Sequence, residues 1–422
     1  MVLLVWVAAG LLSLAGTFSY SEIAAMMPEA GGDYLYLRRA YGRLVGFSYG
    51  WMVFTVARAG SQAALAVGLA IFMNVALGGR LEGWQPGGSL MGMHVNGLTL
   101  VALATIWMVA LINCVSVSLG GGTALALTLV KIALVFGVGL AAFLLAPSGW
   151  SHYGLSGLQG TCDGVAASAR GGVAGFGAAM LGALWAYDGW NNVAPLAGEI
   201  RDPQKNMPRA FVGGMLVVGA LYLFVNVAYY YALTPVEIAS VHGGSSVATE
   251  MLKRFLGPSA VTLTAVALMV SSFGSLHASV LANSRIPFAM ARDGLFFKSL
   301  AKLSPRSRVP VRAIVAQAAW GSVLALSGSY DALTDSVIFV SWVFYGLSIA
   351  SLFVFRRTMP DAPRPYRALG YPVIPLVFLV VTVALLVDTF VAEPRQAFEG
   401  VAVLLAGLPF YWWWSRDSVA SV

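Results

Sequence analysis

The chain has 422 residues, 59% of them hydrophobic and only 10% charged, with a mean hydropathy of +0.79, whereas a soluble globular protein carries roughly 25% charged residues. This composition excludes a soluble enzyme, a disordered chain and, with Cys114 and Cys162 as the only cysteines, a disulfide-stapled secreted domain. The net charge of +7 is not a nucleic-acid patch, because the cations lie in short loops between apolar runs, as they do in an integral membrane protein.

A hydrocarbon core needs about 20 apolar residues per helical span, so runs of about 17 or more with few charges are counted as spans. Eleven are found: 2 to 27, 44 to 77, 96 to 118, 123 to 146, 173 to 198, 210 to 233, 259 to 283, 311 to 327, 333 to 355, 372 to 391 and 397 to 415. The first lacks the basic leader and cleavage site of a signal peptide and reads as a membrane helix. Lys and Arg gather on the cytoplasmic side of a membrane protein. With the first span running inward, 18 of the 25 cations fall in inner loops and five in outer ones, while Arg58 and Lys131 lie inside spans. The C-terminus is then cytoplasmic. An odd number of spans also places Met1 outside, which leads to the expectation that a further helix precedes this sequence; an uncharged tail that crossed unaided is the alternative.

In chain order, the second span carries Arg58 at mid-depth and the fourth carries Lys131 about a third of the way in. Each cation costs about 2.5 to 3.5 kcal/mol or more at the bilayer centre unless paired or hydrated. Lys131 can snorkel to the inner interface. Arg58 is too deep for that and calls for a partner such as Glu22 or Asp188, between which the sequence does not choose. The fifth span, Trp185-Ala186-Tyr187-Asp188-Gly189-Trp190-Asn191-Asn192, puts Asp, Gly and two Asn at bilayer depth. Backbone leaves the helical path there only where it lines a cavity, and transporters place substrate sites at such breaks. The alternative is a buried kink whose polar groups are satisfied by neighbouring helices. The seventh span carries Ser271, Ser272, Ser275 and His277. Small hydroxyl residues often serve as packing contacts, and a lone buried histidine is more often a satisfied core group than a proton carrier. One echo joins the two halves: residues 36 to 42 (Tyr-Leu-Arg-Arg-Ala-Tyr-Gly) resemble residues 251 to 257 (Met-Leu-Lys-Arg-Phe-Leu-Gly), five spans apart and on opposite sides, as an inverted repeat requires. The match is short enough to arise by chance. No Walker loop, H-E-x-x-H, nucleophile elbow or cysteine pair at metal spacing occurs, so neither an enzyme nor a metal or cofactor site is expected.

Three segments together resemble the amino acid permeases of the amino acid–polyamine–organocation superfamily, closest to the L-type amino acid transporter branch. They are Tyr20-Ser-Glu22 through Gly31-Gly32-Asp33-Tyr34 to Gly42; Trp185 to Asn192 with Glu199-Ile-Arg-Asp-Pro to Pro208-Arg209; and Ser272-Phe-Gly-Ser-Leu-His277 to Ser284-Arg285 and Arg292-Asp293-Gly294. The resemblance implies one transmembrane permease domain over residues 1 to 422, all-α, with a five-plus-five inverted repeat and two extra C-terminal helices. Eleven of the family's twelve helices are present, the second to the twelfth, and the glycine-rich first one has no counterpart. By the same carry-over, backbone carbonyls around Trp185, Ala186 and Tyr187 hold a substrate ammonium, Trp185 is an aromatic lid, and Asp188 and Asn191 lie at the substrate. Lys131, with hydroxyls such as those of Ser271 and Ser272, takes the place of a sodium ion. Arg58 and His277 remain candidates without a role. Eukaryotic relatives bond to a glycoprotein through a cysteine after the third helix; residues 78 to 95 contain none, so no such subunit is expected.

The function implied is a sodium-independent permease or exchanger for neutral L-amino acids in the cytoplasmic membrane, working by alternating access. The alternatives are a carrier for cationic amino acids or polyamines, against which Arg58 argues, and a non-transporting sensor or remnant.

Overall fold

Each of the eleven apolar runs lies on helical structure in the computed structural model, which describes all residues except 86–88, 91–92, 147–148, 156–159, 163–164, 166–169, 243–244, 329, 393 and 420–422. The helices are α1 (Val2–Met26), α2 (Asp33–Tyr41), α3 (Arg43–Met52), α4 (Arg58–Ala76), α5 (Gly97–Val115), α6 (Val117–Leu145), α7 (Gly172–Tyr187), α8 (Pro203–Ala232), α9 (Pro235–Ala239), α10 (Val247–Leu256), α11 (Ser259–Asn283), α12 (Arg285–Arg292), α13 (Val311–Ser327), α14 (Tyr330–Thr358), α15 (Val373–Ala392) and α16 (Pro394–Val419). Among the described residues, eight stretches are long and apolar enough to cross a membrane: Val2–Met26, Arg43–Ala76, Gly97–Val115, Val117–Leu145, Pro203–Ala232, Ser259–Arg292, Phe339–Thr358 and Val373–Val391. The chain is a multi-pass, all-α membrane protein. Among the described residues the only ladder is the two-residue one of Ser89–Leu90 with Met93–His94, besides a single bridge residue at Ser245. Much of the Gly- and Ser-rich loop 147 to 172 lies outside the described residues.

Two span boundaries differ most from the sequence reading. The seventh run does not stop at 283: Ser284 keeps a right-handed helical conformation (φ −62°, ψ −17°), and the apolar helix continues to Arg292. The sixth starts earlier, at Pro203, where proline's missing N–H costs nothing in the first helical turn.

The second run is continuous from Arg43 to Ala76 but widens into a π turn at Val53–Ala57, so the Arg58 N–H bonds back to the Val53 carbonyl. Such turns leave carbonyls outside the regular ladder. Here the Thr55 carbonyl is taken by the Trp320 indole of α13 at 2.6 Å.

Helices α1 and α8 pack on each other, as do α4 and α11. Each pairing joins apolar runs five apart. The short echo noted above acquires structure in the same register. Both copies lie on short helices, α2 and α10, that end in a glycine with positive φ (Gly42, 94°; Gly257, 59°) ahead of a long span. Glycine adopts that conformation without the Cβ clash that strains other residues. The cores are aromatic-rich: Tyr20 meets Tyr36, Trp190 and Phe211 edge-on, joining α1, α2, α8 and the segment after α7.

Candidate functional site

Helix α7 has only 16 residues and ends at Tyr187. The reason is local: Asp188 turns extended (φ −61°, ψ 149°), and Gly189 takes φ 101°, where a side chain would be strained. Residues 188–193 run as turns before a 3-10 segment, Ala194–Glu199, that carries Pro195 in its first turn. The break expected from the Asp-Gly-Trp-Asn-Asn sequence is therefore present, between two helical pieces of one apolar run.

The sequence-predicted residues divide around this break. Asp188 meets Arg58: the guanidinium lies 3.7 Å from Asp188 Oδ2. Tyr345 of α14 donates its hydroxyl to Asp188 Oδ1 at 2.5 Å, and Arg58 donates to the same hydroxyl at 3.4 Å. Glu22, the other partner considered for Arg58, is not available. It is fully buried and accepts both Nε and Nη2 of Arg356, at 3.0 and 2.7 Å, with the Ala368 amide at 2.7 Å.

Trp185 is 70% exposed and stacks on none of the described rings. Tyr187 is different: its ring is buried against Trp6 and Tyr222 and its hydroxyl donates to the Trp6 carbonyl, so its side chain is core, and only its backbone belongs to the break. The Ala186 carbonyl accepts the Tyr222 hydroxyl at 2.8 Å. A carbonyl has a second lone pair, so this leaves one acceptor position at Ala186.

Lys131 does not reach Ser271 or Ser272. Its ammonium donates to Ser275 Oγ at 2.7 Å, one turn further along α11. Gly274 explains the register: a Cβ there would sit 2.9 Å from Lys131 Cε and 3.1 Å from Leu127 Cβ. The bare glycine lets the lysine stem lie across α11 and sets its head beside Ser275.

His277 is fully buried, with Nε2 at 2.8 Å from the Gly120 carbonyl and Nδ1 at 3.1 Å from Asn113 Nδ2. A neutral ring with its hydrogen on Nε2 satisfies both contacts. His277 joins α5, α6 and α11 and is a packing group in this structure.

Asn191 leads to a centre the sequence reading did not single out. Its Nδ2 donates at 2.9 Å to Asp33 Oδ2, which also accepts the hydroxyls of Tyr20 (2.8 Å) and Tyr49 (3.3 Å), while Ser348 donates to Oδ1 at 2.7 Å. Asp33 is buried, with no cation among these partners. Burial pushes its carboxyl above the ordinary range, against the downward pull of its four hydrogen bonds. Five segments converge on it: α1, α2, α3, the α7 break and α14. The signal that would have found it is the acid inside Gly31-Gly32-Asp33-Tyr34. Charged residues of the quoted motifs also meet: Arg285 Nε and Nη2 grip Glu199 at 2.7 and 2.9 Å, and Arg38 pairs with Asp293, to which Tyr34 also donates. A surface pocket of about 440 Å³ is lined by α8 residues between Gln204 and Leu216 and by Pro365 and Tyr366, and none of these site groups lines it.

A membrane-embedded bundle with a broken helix, a half-buried lysine at a hydroxyl and an internal ion pair fits a secondary transporter. The amino acid permease family model matches residues 1–412, and the chain belongs to that family. Among its relatives it is 31% identical to the serine/threonine exchanger SteT of Bacillus subtilis, over 98% of this chain and 88% of that protein. It is 28% identical to the human large neutral amino acids transporter small subunit 2 (97% and 72%) and 26% identical to the mouse b(0,+)-type amino acid transporter 1 (97% and 79%).

Proposed function

We propose that the chain is a carrier for neutral L-amino acids in the cytoplasmic membrane, with its C-terminus inside, working by alternating access without sodium and without enzymatic chemistry. The observation that carries the site is the break at 188–193: it leaves peptide groups outside the helical ladder at the point where Trp185 is exposed. The backbone carbonyls of Trp185, Ala186 and Tyr187 receive the substrate ammonium. Trp185 closes over the substrate, and Asp188 and Asn191 border it. Lys131, held by Ser275, supplies the fixed positive charge that a sodium ion provides elsewhere; Ser271 and Ser272 lie outside that contact. The neutral-substrate reading is supported by the names of two relatives, an exchanger of serine and threonine and a large neutral amino acids transporter. The carrier works without a disulfide-linked subunit, a reading supported by the absence of cysteine from 78 to 95.

Uptake of labelled neutral amino acids into proteoliposomes, driven by unlabelled amino acid inside, tests this reading. Uptake is expected to persist when choline replaces sodium and to be lost in a Trp185→Ala protein that remains monodisperse in detergent. No uptake by the wild type would favour the non-transporting alternative, and collapse in choline would remove Lys131 from its role.

A further inference from the structure

Helix α8 opens with cations and continues as apolar surface. Lys205 and Arg209 are exposed in its first turns, and Gly213 and Leu216 follow on the same face, because residues three or four apart share one side of an α-helix. At 1.5 Å per residue these positions cover about 16 Å along the axis, enough to run from the polar interface into the hydrocarbon. Leu216 is 56% exposed, as a lipid-facing residue is. All four line the cavity of about 440 Å³ whose other wall is Pro365 and Tyr366, on the segment between α14 and α15. None of the residues placed at the α7 break lines it.

The positive charge at this cavity is uncompensated. Glu199, six residues before Lys205, is held by two nitrogens of Arg285, and Glu22, on the helix α1 that packs on α8, is held by Arg356. Asp202 precedes α8 but does not line the cavity. Among the described residues, Lys205 and Arg209 have no carboxylate partner and the Tyr366 hydroxyl has no hydrogen bond. The dipole of α8 adds positive potential at the same end. A small soluble anion would use only the cationic rim, and a neutral lipid would leave that rim unused. An amphiphile with an anionic head matches both parts.

We propose that this cavity binds one acidic glycerophospholipid. Its phosphate sits between Lys205 and Arg209, within reach of the Tyr366 hydroxyl, and an acyl chain lies along Gly213 and Leu216. A volume of this size takes the head group and the first methylenes and leaves the rest of the chains in the bilayer. In the orientation proposed above this end of α8 is cytoplasmic. The bound lipid joins α8 to the segment leading into α15.

The test is native mass spectrometry of the full chain in detergent, titrated with dioleoyl phosphatidylglycerol or dioleoyl phosphatidylcholine. The wild type is expected to hold one phosphatidylglycerol roughly tenfold or more tighter than phosphatidylcholine. Replacing Lys205 and Arg209 together by Gln should remove that preference, whereas the Lys302→Gln, Arg306→Gln protein, altered at exposed cations outside the cavity, should keep it. Gly213→Leu probes the shape without touching charge: a Cβ there meets nothing within 4 Å, so the new side chain enters the cavity and should weaken phosphatidylglycerol binding by a similar factor. Equal binding of the two lipids by the wild type, or a preference that survives loss of Lys205 and Arg209, would overturn the proposal. Equal loss in the Lys302, Arg306 variant would assign the preference to general surface charge and overturn it as well. Displacement of the lipid by inorganic phosphate at matched concentration would make the cavity a site for a free anion, against the lipid assignment. Every readout is lipid binding, so failure here leaves the carrier reading standing, and absence of transport leaves this site standing.

Discussion

Neutralising Glu22 should be among the most damaging single changes outside the α7 break. Glu22 lies on α1 with no exposed surface, and both its oxygens are spoken for: Arg356 bonds to each, the Ala368 amide adds a third contact, and Arg364 Nε lies 3.2 Å away without hydrogen-bond alignment. Arg356 also lies over the Tyr371 ring, 3.6 Å from its centroid, so the carboxylate ties the end of α14 and the segment leading to α15 onto α1. In Glu22→Gln the shape survives, but an amide N–H faces donors, and two guanidinium groups, 25% and 10% exposed, lose their counter-charge. Breaking a buried pair by removing one partner costs about 3–5 kcal/mol. The internal comparison is Glu29→Gln, which breaks the exposed Arg39–Glu29 pair (38% and 57% exposed) and should cost less than about 1 kcal/mol. Unfolding titrations with SDS in mixed micelles, read by tryptophan fluorescence, give both values. Equal midpoints for the two variants would refute the claim that Glu22 anchors this end of the bundle.

Gly189→Ala forces a side chain into φ 101° and brings its Cβ to 2.9 Å from the Asn192 amide; we expect about 1–3 kcal/mol of destabilisation and reduced uptake, and wild-type uptake would show that the break tolerates other geometries. Gly274→Ala inserts a methyl group against the Lys131 stem and should cost about 1–3 kcal/mol while separating the lysine from Ser275. Retention of full stability and sodium-free uptake would count against that register. Because the Asp33 carboxyl is raised, the folded state binds its proton more tightly than the unfolded one. Its contribution to stability is therefore greatest at low pH and declines as pH rises from the ordinary value of 3.8 through the folded one. Relative to wild type, Asp33→Asn should lack that decline in pH-dependent melting; parallel curves would refute the assignment.

What the sequence determined by itself is what depends on neighbours along the chain. Apolar runs long enough to span a bilayer, the sequestration of charge between them, and the loss of helix at Asp188-Gly189 all follow from local composition and backbone freedom. What it left open are the pairings. Arg58 takes Asp188 and Tyr345 while Glu22 goes to Arg356, 334 residues away; Lys131 stops at Ser275 and not at Ser271 or Ser272; Asn191 turns to a buried Asp33. Each outcome depends on how a helix is rotated and how closely it approaches the next. Those quantities are set by the π turn before Arg58, the missing side chain at Gly274 and the aromatic packing around Tyr20. A mean hydrophobic run specifies that a helix is buried in the membrane, but not which of its faces meets which neighbour, because a lipid-facing and a helix-facing apolar residue are chemically alike. Only the assembled bundle resolves that choice, and with it the partners of every charge inside the membrane.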